Sequence, residues 1–107
     1  SLKAEAARKQ LLDSTTKAKL ELEATKIEID ARQARIQRYE AILGSARELV
    51  AKSQKGFSEG FGTQIDVLEA TRALREVEQE LVEARQQLSL AVIDQYKASG
   101  FLAEVLK

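Results

Sequence analysis

Residues 56–70 read GFSEGFGTQIDVLEA, and three of the chain's five glycines, Gly56, Gly60 and Gly62, fall inside them. The long stretches on either side carry no comparable punctuation, and the chain has no proline at all. Glycine takes positive φ at little cost, and Thr63 followed three residues later by Asp66 has the pattern of a capping box that opens a new helix. The stretch therefore predicts a turn between two helices.

The flanks carry the matching signal. From Ala18 to Val50, Leu22, Ile29, Ile36, Leu43 and Val50 recur every seven residues and define position a, with Ala18, Thr25, Arg32, Tyr39 and Ala46 at d. Beyond the glycines the repeat is cleaner, with Val67, Leu74, Leu81 and Leu88 at a, and Ala70, Val77, Ala84, Ala91 and Ala98 at d. A sustained seven-residue period specifies a left-handed coiled coil. Folding one helix back on the other requires the numbers of facing residues to add to a constant. A constant of 120 sets Val50 against Ala70, Leu43 against Val77, Ile36 against Ala84, Ile29 against Ala91 and Leu22 against Ala98. Large side chains then mostly face small ones, so the backbones approach closely. Half of that constant is residue 60, which centres the turn on Gly60.

The expected architecture is all-α: a long antiparallel two-helix coiled-coil hairpin. Helix 1 is expected over about 3–57, the tip over 58–63, helix 2 over about 64–98 and a tail over 99–107. Two further expectations follow from local chemistry. Ser99-Gly100-Phe101 has the form of a helix stop, and DSTT at 13–16 competes for backbone hydrogen bonds and marks a candidate kink.

Composition narrows the function. The 107 residues are 32% charged and 44% hydrophobic, with no His, Cys, Met, Trp or Pro. The missing His and Cys remove the usual zinc ligands, the thiol nucleophile and the commonest general base, so no catalytic residue, metal ligand or cofactor is expected and the chain is not read as an enzyme. Residues 1–57 carry 12 basic and 8 acidic side chains and residues 58–107 carry 5 and 9. Opposite halves of this kind favour pairing with each other over binding nucleic acid. No run reaches the roughly 18 apolar residues of a membrane helix, and the opening SLKAEAARKQ is not a signal peptide. A start without methionine suits a processed protein or a fragment of a larger chain.

Helix 1 also has an apolar strip that an isolated hairpin does not need. Leu20, Ile27, Ala34 and Ala41 repeat every seven residues nearly opposite the seam, joined by Ala24 and Ala31. Such a helix has neighbours on two sides, as a stave in a wall of helices does; alanine-rich helix surface is the plainer alternative. Helix 2 carries a weaker strip of Leu68, Val82 and Tyr96, with Ile65 and Ile93 near its ends, and an acidic face of Asp66, Glu69, Glu76, Glu80 and Glu83. That face is either a solvated surface relieved by Arg72, Arg75 and Arg85, or the lining of a water-filled passage.

The run SEGFGTQIDVLEATRALREVEQELVEARQQLSLAVIDQYKASG resembles the periplasmic helical hairpins of TolC-like outer membrane factors. Phe57 stands at that family's aromatic position, Glu59-Gly60-Phe61 at its tip triplet, and Asp66-Val67-Leu68-Glu69-Ala70 at its Asp-Val-Leu-Asp/Glu-Ala run. The resemblance covers about residues 20–100. It implies a stave of a trimeric α-helical barrel, the periplasmic part of an outer membrane protein, whose hairpin tips meet a periplasmic adaptor and, through it, an inner membrane transporter. It implies a role in a tripartite efflux pump or type I secretion system. By that likeness Glu59, Gly60, Phe61 and Gly62 form the adaptor-binding tip, and Asp66 and Glu69 lie at the tunnel entrance. Two departures stand out: Glu59 replaces the usual apolar residue, and Gly62 sits where some members carry arginine. The competing readings are the hairpin of the adaptor itself, whose tip carries Arg, Leu and Ser where residues 56–63 hold no Arg or Leu, and a generic coiled-coil scaffold.

Overall fold

The computed structural model describes residues 1–107. Its only regular elements are two α-helices, α1 (Leu2–Ser58) and α2 (Gln64–Val105), which form an antiparallel hairpin. Contacts divide the chain into two units: Ser1–Arg32 with Gln87–Lys107, and Gln33–Gln86. They are called here the proximal and the distal unit.

In the distal unit the half-buried and buried positions of α1 are Ile36, Tyr39, Leu43, Ala46, Val50 and Ser53, at a and d spacing, and Gly56 under the turn. Those of α2 include Val67, Ala70, Leu74, Val77, Leu81 and Ala84, on the same pattern. Leu81 is only 4% exposed, and Ala46, Ala70 and Ala84 are buried along the same seam. One ion pair and one longer-range attraction match the register. In an antiparallel pair with facing layers adding to 120, e-position neighbours add to 125 and g-position neighbours to 115. Arg85 and Glu40, both at e, form an ion pair at 3.6 Å. Arg35 and Glu80, both at g, are electrostatically coupled across the other side. The seam thus takes the expected register.

The proximal unit continues the same heptad with different chemistry. Its seam consists of Thr15, Ala18, Leu22, Thr25, Ile29 and Arg32 on α1, with Leu88, Ala91, Gln95, Ala98, Leu102 and Val105 on α2. Only Ala18 and Ala91 are buried. Arg32 keeps its charge at the surface by running its stem along the seam and bonding Glu28 at 2.7 Å. Thr25 returns its hydroxyl proton to the Leu22 carbonyl at 2.6 Å.

Two local expectations fail in this unit. α2 does not stop at Ser99-Gly100-Phe101 but runs on to Val105. The physical reason is the seam: Leu102 and Val105 occupy the next a and d positions and are half-buried, and their burial outweighs the roughly 1 kcal/mol that glycine costs a helix interior. Nor do residues 13–16 interrupt α1, because Thr15 bonds the Leu11 carbonyl at 2.9 Å and so satisfies its hydroxyl without leaving the helix. With facing residues adding to 120, the first dozen residues of α1 have no opposite number on α2, and Leu2, Leu11 and Leu12 are exposed.

The candidate functional site at the turn

The turn Glu59–Thr63 is built by two interlocked caps. At the end of α1 the Phe61 amide donates to the Gly56 carbonyl at 2.8 Å and the Gly60 amide to the Phe57 carbonyl at 3.2 Å. These are the two bonds of a Schellman motif, with Gly60 at its left-handed position and φ of 84°. Any side chain there meets a conformational cost of about 1–2 kcal/mol. Gly62 also donates to the Gly56 carbonyl, at 3.1 Å. Its φ is not positive, and an added Cβ would meet nothing nearer than 3.5 Å. Of the glycines in the tip only Gly60 is conformationally required.

At the start of α2 the Asp66 amide donates to Thr63 Oγ1 at 3.2 Å, and the Thr63 amide donates to Asp66 Oδ2 at 3.0 Å. The expected capping box is therefore present, with aspartate in place of the usual Glu or Gln. Asp66 so has a structural task besides its charge: its carboxylate holds the first turn of α2 and favours the positive end of the helix dipole.

Between these caps the apex stands free. A Schellman turn commonly lays the residue after its glycine against an apolar residue of the preceding helix. Here that residue is Phe61, the corresponding helix positions are Gly56 and Lys55, and Phe61 is 88% exposed. Phe57 is about half exposed beside it. An open groove runs from Phe61 along the distal unit, walled by Leu49 and Lys52 on α1 and by Asp66, Glu69 and Ala73 on α2. All four expected tip residues lie in or beside the turn, and Asp66 and Glu69 lie in the groove wall next to it. Leu49 and Lys52 were not anticipated; both fall on the g and c flank of the α1 heptad, the flank that also holds Arg35 and Arg38.

Farther along the same flank the acidic face of α2 is mostly unpaired. Arg72 and Arg75 lie beside Glu76, Glu80 and Glu83 without an ion pair within 4 Å, and Arg85 turns to Glu40 on α1. The compensation comes from α1. The Arg35 guanidinium is held above its usual range, first by its hydrogen bond to the Tyr39 hydroxyl at 3.4 Å and then by Glu80 and Glu83. It also lies 5.5 Å from the centre of the Tyr39 ring, within cation–π range. No group of three or more carboxylates is gathered closely enough to hold a metal ion. No helix is long and apolar enough to cross a membrane.

A family model described as outer membrane efflux protein matches residues 2–100. No curated protein and no solved structure matches the chain.

Proposed function

The chain belongs to the outer membrane efflux protein family, and we propose that it forms a stave of the periplasmic tunnel of such a channel, with its turn as the docking point for a periplasmic adaptor. Members of the family are transport proteins of the outer membrane rather than enzymes. The reading takes the hairpin as one part of a trimeric channel that works in a tripartite efflux pump or type I secretion system, with an inner membrane transporter reached through the adaptor. Membership also separates it from the adaptor and from a generic scaffold.

The observation that carries the docking proposal is Phe61. It projects from the apex of a turn whose backbone is fixed by four internal hydrogen bonds, and nearly all of its surface is exposed. A rigidly held, solvated aromatic is costly to leave exposed and little is lost when a partner covers it, which suits it to anchor an interface. Glu59, the exposed Gly60 and the half-buried Gly62 flank it in the chain. Asp66 and Glu69 then present negative charge just inside the tunnel entrance, across the groove from Lys52.

The test is made in the membrane-embedded protein that carries this hairpin. Phe61→Asp removes the anchor, and Gly60→Pro imposes a φ that the turn does not have. Both are expected to abolish export and crosslinking to the adaptor while trimers still assemble. Normal export and crosslinking in both variants would rule out the tip as the docking site.

A further inference from the structure

The apolar seam by itself tolerates more than one register. Sliding α1 one heptad along α2 changes the sum of facing residue numbers from 120 to 113 or to 127. Within the distal unit the first slip stacks Tyr39 on Leu74 and Leu43 on Ala70, and the second stacks Leu43 on Ala84 and Ala46 on Leu81. Such layers are as apolar as the observed ones, so burial barely separates the three registers.

The turn leaves room for the same alternatives. A slip recentres it either between Gly56 and Phe57 or between Thr63 and Gln64, next to Gly62. Neither Gly56 nor Gly62 has a positive φ in the observed turn, and a Cβ on either would meet nothing nearer than 3.5 Å. Glycine therefore stands at each displaced apex, and what a slip forfeits locally is the Schellman bonds and the Thr63–Asp66 box.

The charged flanks do discriminate. In the observed register Arg85 pairs with Glu40 at 3.6 Å, Glu80 attracts Arg35, and Arg47 stands opposite Glu78, both at e. A slip to 113 undoes all three and brings Glu40 to Glu78, while a slip to 127 undoes all three and brings Arg47 to Arg85. Opposite charges meet only where the structure sets them, and like charges meet in either slip. The proximal unit has no such filter: none of its facing e or g positions joins opposite charges, and Glu21 stands opposite Asp94 at g.

We infer that Glu40, Arg47, Glu78 and Arg85, supported by Arg35 and Glu80, are positioning residues that lock the register of the hairpin and so hold Phe61 at its apex. A slip of one heptad displaces the apex by roughly 5 Å along the helices and takes Phe61 off the tip. The inference rests on the docking reading for its purpose and on the seam for its geometry.

The chain has no native cysteine, so the register can be read from which pair closes a disulfide within one molecule. Leu43→Cys with Val77→Cys reports the observed register, with Ala70→Cys the slip to 113, and with Ala84→Cys the slip to 127. Exchanging two charges, Glu40→Arg with Arg47→Glu, sets like against like in the observed register and opposite charges together in both slips. The slipped disulfides should rise about tenfold relative to the observed one, and by less in molar salt. Adding Glu78→Arg and Arg85→Glu should restore the original pattern. Where circular dichroism shows that the exchange unfolds the chain, Glu40→Gln with Arg47→Gln serves instead, with an expected rise of about threefold. An unchanged disulfide pattern, or no rescue by the second pair, overturns the lock and leaves docking through Phe61 standing. A shifted pattern with undiminished crosslinking of Phe61 to the adaptor, in the membrane-embedded protein, keeps the lock and overturns docking through Phe61.

Discussion

The distal and proximal units share one heptad and one register but are held by different layers. In the distal unit the facing layers are Ile36/Ala84, Tyr39/Leu81, Leu43/Val77, Ala46/Leu74, Val50/Ala70 and Ser53/Val67, and the only polar groups among the six are the hydroxyls of Tyr39 and Ser53. In the proximal unit Arg32/Leu88, Thr25/Gln95 and Thr15/Val105 alternate with Ile29/Ala91, Leu22/Ala98 and Ala18/Leu102. The same period thus specifies where two helices meet, while the chemistry of each layer specifies how firmly. The turn and its groove belong to the firmer unit, which suits a surface that must present Phe61 in one position.

The largest effect tests the distal seam. Leu81→Ala removes its most deeply covered large side chain and should cost about 2–4 kcal/mol, read as a lower denaturation midpoint, with amide exchange accelerated mainly in residues 33–86. If exchange rises most in the proximal unit, the division into a firm and a loose region fails. The converse change, Thr25→Val combined with Gln95→Leu, replaces a polar layer with an apolar one. It should stabilise the proximal unit by about 1–2 kcal/mol and raise its amide protection about tenfold, narrowing the difference.

Smaller effects are expected at the turn. Gly60→Ala places a methyl group on a backbone with φ of 84° and should cost about 1 kcal/mol, whereas Gly62→Ala should be within a few tenths of zero. Equal costs would mean that the Schellman geometry is not what selects the glycine. Thr63→Ala removes one half of the capping box and should cost about 1 kcal/mol or less, localised to the first turn of α2 by chemical shift. Smallest of all, Glu40→Gln breaks the ion pair with Arg85, whose side chains are more than half exposed. A loss of a few tenths of a kcal/mol that vanishes in high salt is expected.

Much of this was legible from residue order because a hairpin is the simplest case for local rules. Each helix is specified by its own period, and the turn by glycine and a Thr-x-x-Asp spacing, all within a few residues. Where reading failed, a local rule lost to a nonlocal one. Gly100 looks like a stop because glycine often ends helices, but Leu102 and Val105 find seam positions beyond it. The DSTT segment looks like a kink because short polar side chains compete for the backbone, but Thr15 satisfies itself within the helix.

The sequence alone determined the two helices, their register about Gly60, the outward apolar strip and the acidic face, since each depends on spacing along one helix. Only the tertiary structure decided which charges meet and which side chains stay free. Arg85 meets Glu40 on α1 because the antiparallel seam brings the two e positions together. Phe61 remains in solvent because the Schellman turn aims it away from a helix whose facing positions hold Gly56 and Lys55.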